Sequence, residues 1–189
     1  SVLVERGSER VVATLLGNTG AAVSEPALHR AVDRFGDSEA VQQPMVHRAQ
    51  LPVTVTERLI TRVADDLRTY LLSKHQISAD VAIDLVLQTR ERATAGLAMG
   101  LGDDALHALV TQLRDNGRLT TSLVLRTVCM GNVRFFEHAL AVRASIPVVN
   151  ARVLVHEGAG AGRNARGAKA GLSVSADPAM RAAIAAATQ

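Results

Sequence analysis

The feature that most constrains this chain is a recurring dipeptide, a large aliphatic residue followed by Ser, Thr or Pro. It occurs as Val23-Ser24, Leu51-Pro52, Ile77-Ser78, Leu119-Thr120, Ile146-Pro147 and Leu172-Ser173, at intervals of 28, 26, 42, 27 and 26 residues. Each copy but the last runs into an aliphatic pattern of helical period. The pair has the chemistry of a helix start. The aliphatic side chain packs back as a staple, Ser or Thr accepts from free amides, and Pro brings a fixed φ to the first turn. Start signals returning at this interval point to helix pairs stacked in a solenoid, where each pair buries its apolar face only against a neighbour. The 42-residue interval leaves room for one additional helix.

The stretches between the starts carry helical stripes. Segment 52–74 places Val55, Leu59, Ile60, Val63, Leu67 and Leu71 at three- and four-residue steps. Segment 103–115 does the same with Leu106, Leu109, Val110 and Leu113. It opens on Asp103-Asp104, suited to the positive end of a helix dipole, and stops at Asn116-Gly117. Segment 133–144 carries Val133, Phe136 and Leu140, and a shorter partner helix fits at about 38–48, where Pro44 should kink or shorten it. The β-branched triplets Val53-Thr54-Val55 and Val153-Leu154-Val155 are short and few hairpin signals accompany them, so the expected fold class is all-α.

Composition narrows the function classes. At 189 residues and 48% hydrophobic content the chain can bury a sizeable core, which excludes disorder. A single cysteine, Cys129, excludes a disulfide scaffold. No apolar run approaches the roughly 18 residues of a membrane span. The opening Ser1-Val2-Leu3-Val4-Glu5-Arg6 lacks the pattern of a signal peptide, so the expected location is the cytoplasm. The pI of about 9.7 arises from nineteen arginines against two lysines, with eighteen acidic residues interspersed. Three Phe, one Tyr and no Trp suit closely approaching helices and suit stacking on exposed bases badly.

Two stretches carry a family resemblance. Leu3-Val4-Glu5-Arg6-Gly7-Ser8-Glu9-Arg10-Val11-Val12 runs into Leu15-Leu16-Gly17-Asn18 and Ala21-Ala22-Val23-Ser24. Gly131-Asn132-Val133-Arg134-Phe135-Phe136-Glu137-His138-Ala139-Leu140 is followed by Ile146-Pro147 and Lys169-Ala170-Gly171-Leu172. Together they resemble an uncharacterised bacterial family of HEAT-like helical repeat proteins. The resemblance implies a HEAT/armadillo-like solenoid of antiparallel helix pairs, with no catalytic residues to carry over. It also implies that further repeats precede this segment. The expectation is a single repeat domain over 1–189, the C-terminal portion of a longer array, with a less regular tail at 158–189. The first helix, with Val2, Val4, Val11 and Leu15, would then lack its upstream neighbour and offer a surface for homo-oligomerisation.

Signals for chemistry are weak. His29, His47, His75, His107, His138 and His156 have no pair spaced three or four apart, as a helical zinc site needs. Cys129 lies in an apolar run and reads as a small hydrophobe. Asp65-Asp66 and Asp103-Asp104 point apart on a helix, and Asp66 follows Arg62 by four residues, as an exposed ion pair would. Gly160-Ala161-Gly162-Arg163-Asn164-Ala165 matches G-x-G-x-x-A in letters but lacks the strand–turn–helix setting. In the same stretch Arg163, Arg166 and Lys169 recur every third residue and form a candidate site for an anion or acidic partner segment.

The expected function is therefore a non-enzymatic protein–protein interaction scaffold with no cofactor and no metal, in bacterial signalling or regulation. Its concave surface would be lined by polar positions including Arg58, Arg62 and Arg68. The alternative is nucleic-acid binding through rows of arginine. A base-excision glycosylase resembling the HEAT-like ones is disfavoured by the absence of Trp.

Overall fold

The computed structural model describes residues 2–48, 51–74 and 78–161, with the side chains of 74 and 157–161 left aside, and the regular structure among them is entirely helical. The helices are α1 (Val2–Arg6), α2 (Glu9–Gly17), α3 (Glu25–Phe35), α4 (Glu39–Val46), α5 (Val53–Lys74), α6 (Ala79–Ala98), α7 (Asp103–Asp115), α8 (Thr121–Cys129), α9 (Val133–Ala144) and α10 (Val148–Ala161). Both β-branched triplets lie inside helices, α5 and α10. Pro44 sits in α4, which ends two residues later.

Five of the six repeated dipeptides stand at helix starts. Ser24 and Thr120 stand at the N-cap positions of α3 and α8, and Pro52, Ser78 and Pro147 immediately precede α5, α6 and α10. Leu172-Ser173 lies outside the described residues. The capping chemistry is uneven. Thr120 Oγ1 accepts from the Leu123 amide at 3.0 Å, whereas Ser24 makes no side-chain cap and relies on Pro26 in the first turn. The aliphatic halves do pack inward, with Leu119 buried and Val23 and Leu51 against the core. Three helix exits need a left-handed residue and use glycine: Gly117 at φ 66° after α7, Gly131 at φ 85° after α8, and Gly100 at φ 79° after α6. At the first, the Arg118 amide returns to the Leu113 carbonyl at 2.6 Å; at the second, the Asn132 amide returns to that of Thr127 at 2.9 Å.

The chain packs as two compact units, Ser1–Leu97 and Ala98–Gln189. In the first, α2 lies along α4, and α3 along α1 and α5. Their apolar faces close over Val12, Leu16, Leu28, Val32, Val41, Met45, Val55 and Leu59. The single first helix expected from the sequence is two, α1 and α2, broken around Gly7 and Ser8. Of its four apolar residues, Val4 is fully enclosed and Leu15 half-buried, leaving Val2 and Val11 exposed. In the second unit α9 is central and packs on α7, α8 and α10. Phe135, Phe136, Ala139 and Val142 of α9 meet Leu106, Leu109, Leu123, Val124, Ala151 and Val155 of its neighbours in a buried core. Cys129, expected among apolar neighbours, is exposed, because Leu123, Val124, Thr127 and Val128 form the inward stripe of α8.

Arginines close the helix ends. Arg34 donates to the carbonyls of Val4 and Gly7, and Arg48 to those of Leu16 at 2.9 Å and Ala21 at 2.6 Å. Arg134 reaches Leu101 at 3.0 Å, and Arg143 reaches Leu119. These are carbonyls at helix ends and in the turns beside them, where intrahelical amides run out.

Candidate functional site

Helices α5 and α6, at 22 and 20 residues, are the longest among the described residues and span about 33 and 30 Å. The first half of α5 belongs to the core through Val55 and Leu59; beyond Ala64 it emerges from it. Between the two helices lies an open groove of about 490 Å³. Thr56, Leu59, Ile60, Val63, Ala64 and Leu67 form the α5 wall, and Val86, Thr89, Arg90 and Ala93 the α6 wall. Val46 and Leu51 complete the lining. The lining is almost wholly aliphatic. Tyr70 and Leu72 on α5 and Val81, Ile83 and Leu85 on α6 are also exposed.

Helical periodicity separates this wall from the arginines on the same helix. Arg58 Nε donates to Asp33 Oδ1 at 2.6 Å, and Arg62 holds both carboxylate oxygens of Asp37. That guanidinium keeps Asp37 below the usual carboxylate range, while burial and the neighbouring Asp37 push Asp66 up. Arg62 thus pairs with Asp37 rather than with Asp66 four residues on, because the turn after α3 brings a better-placed carboxylate. Arg68 is exposed and has no ion pair among the described residues. None of Arg58, Arg62 and Arg68 lines the groove, whose cation is Arg90.

The second unit carries a polar network. Asp103, at the first turn of α7, receives Arg134 and Arg152, the latter at 2.9 Å, and lies 3.4 Å from His138 Nε2. The hydrogen bonds from Arg134 and Arg152 hold the Asp103 carboxyl far below its ordinary range. Glu137, 3% exposed, accepts from Arg152 Nε at 2.9 Å and meets His156 Nε2 at 3.1 Å. His138 is 2% exposed, its ring centroid 5.7 Å from that of His107, and its Nδ1 is buried without a partner. Burial lowers its pKa, opposed by the Asp103 carboxylate, so the ring is neutral near pH 7. The arrangement ties α7, α9 and α10 together. Its carboxylates are occupied by the cationic groups of Arg134 and Arg152.

Nothing in the sequence pattern pairs Glu137 with its partners 15 and 19 residues away. The visible hint is the four-residue spacing of Arg152 and His156, which puts two cationic groups on one face of α10. Arg163, Arg166 and Lys169 lie outside the described residues, as does the G-x-G-x-x-A stretch beyond Ala161. Among the described residues no three metal-binding side chains converge, and no single helix is long and apolar enough to cross a membrane.

Over residues 1–189 the chain matches a family described as "Uncharacterised protein conserved in bacteria (DUF2336)". Neither the curated proteins nor the solved structures contain a significant match.

Proposed function

The chain belongs to this bacterial family, DUF2336, and we propose that it is a HEAT-like helical repeat module that binds other polypeptides and performs no catalysis of its own. The observation that carries this reading is the aliphatic groove between α5 and α6. An apolar trough flanked by two long helices is the shape that accepts the apolar face of a third helix. The repeated helix starts and the side-by-side packing within each unit support a stacked-repeat architecture. A cytoplasmic role in signalling or regulation suits such a module. Rows of free arginine would favour nucleic acid, but Arg58, Arg62, Arg134 and Arg152 are already matched by carboxylates.

The test is capture from lysate with the wild-type chain and with Val63→Glu/Leu67→Glu, each with and without nuclease. A protein partner that survives nuclease and is lost with the double variant supports the reading. Retention that disappears with nuclease, or is indifferent to the groove, overturns it.

A further inference from the structure

Within the second unit, a buried histidine and a guanidinium from α10 share one carboxylate. Asp103 Oδ2 takes Arg152 of α10 at 2.9 Å, while Oδ1 takes Arg134 and faces His138 Nε2 of α9 at 3.4 Å. With Nε2 turned to a carboxylate, the neutral ring keeps its proton there, and a second proton must go to Nδ1. That atom is buried and makes no hydrogen bond within the protein. The charged and titratable groups gathered in this network are Asp103 and His107 on α7, Arg134 and Glu137 on α9, and Arg152 and His156 on α10. The third neighbour of α9, α8, carries only Arg126 and the exposed Cys129. A cationic His138 would thus stand among groups that are already cationic, at a ring 2% exposed.

We propose that α10 is an acid-released latch: when His138 takes up a proton, α10 leaves α9, and the charged ring inherits the Asp103 carboxylate that Arg152 held. The inference is independent of what the groove binds. Helix α10 is the element able to move. Of its side chains from Val148 to His156 only Ala151 and Val155 are buried, and its polar ties run through Arg152 and His156. While α10 is docked, burial and the neighbouring cations disfavour a charged His138. Once α10 is released, the ring reaches water and protonates near the ordinary histidine value of about 6.5. Docking is therefore fully favoured above that value and weakens as pH falls through it toward the lower docked value. His156 pulls the other way, since in its protonated form it holds Glu137 by charge. That gain is screened by solvent at a ring 64% exposed, and the cost at the enclosed His138 outweighs it.

Amide hydrogen exchange read by mass spectrometry on the 189-residue chain tests this, from about pH 7.5 to about 5, with rates corrected for intrinsic exchange. Protection of α10 should fall by up to about tenfold for each pH unit below about 6.5, while α7 and α8 keep theirs. His138→Gln should hold α10 protected across the range. His156→Gln, at an exposed position, should leave the acid response in place. No acid response, a loss shared equally by α7 and α8, or a response abolished by His156→Gln and kept by His138→Gln would overturn the proposal. If His138→Gln already frees α10 at neutral pH, proton NMR of the His138 ring in the wild-type chain decides. Proton uptake in step with the loss of α10 protection supports the latch, and a ring that titrates while α10 stays protected overturns it.

Discussion

Replacing Phe135 with Ala should strip about 3–5 kcal/mol from the second unit, and Phe136→Ala nearly as much. The magnitude follows from the position of α9. Phe135 is fully enclosed and Phe136 nearly so, although adjacent helical residues point about 100° apart. Both can be buried only because α9 has neighbours on several sides, α7, α8 and α10. A buried ring removes roughly 150–250 Å² from water, and at about 25 cal/mol per Å² its truncation to a methyl forfeits about 3 kcal/mol. The cavity left behind adds about 24 cal/mol per Å³ wherever the surrounding helices fail to collapse. Urea unfolding followed by circular dichroism reads the change. With a slope of about 1.5 kcal/mol/M for a unit of this size, the midpoint should fall by about 2 M or more. A surface helix would show one large and one negligible effect. A loss below about 1 kcal/mol at either ring would refute the central placement of α9.

Three smaller perturbations test local chemistry. Ser145 adopts φ 54° at the end of α9, so Ser145→Gly should raise stability by about 0.5–1 kcal/mol in the same urea assay. Asn132 accepts from the Phe135 amide at 3.1 Å and gives its own amide to the Ala98 carbonyl at 2.9 Å, so Asn132→Ala should cost about 1–2 kcal/mol. His138 is held neutral by burial, so as pH falls below 6.5 the unfolded chain takes up its proton first. The second unit should then lose stability until the lower folded-state value is passed, and His138→Gln should flatten that limb of a stability–pH profile.

Helix starts were legible in the sequence because they are local. Val23-Ser24, Leu119-Thr120 and Ile146-Pro147 carry chemistry that favours a helix start within a few residues of chain, and α3, α8 and α10 begin there. The break between α1 and α2 was hidden because Val4, Val11 and Leu15 keep a helical spacing across Gly7. The groove was half legible. The stripe Leu59, Ile60, Val63 and Leu67 was evident, but a stripe reads the same whether its neighbour covers it or stands apart. The partners of Arg58 and Arg62 are not legible in the sequence, because Asp33 and Asp37 stand 25 residues earlier, a distance the packing of α3 on α5 closes. Glu137 shows the same limit, since its partners come from the next helix.

The arginine clasps at the helix ends reach far back along the chain: 30 residues from Arg34 to Val4, 32 from Arg48 to Leu16 and 33 from Arg134 to Leu101. Each therefore ties a helix to a carbonyl some thirty residues earlier in the chain, in a role a planar five-donor guanidinium fills and an ammonium does not. That accounts for part of the preference for arginine over lysine without any anionic partner. A guanidinium also stays protonated where a lysine would discharge. Alkaline solution should accordingly leave these ties fastened, and reagents that derivatise arginine should loosen the helix ends they hold.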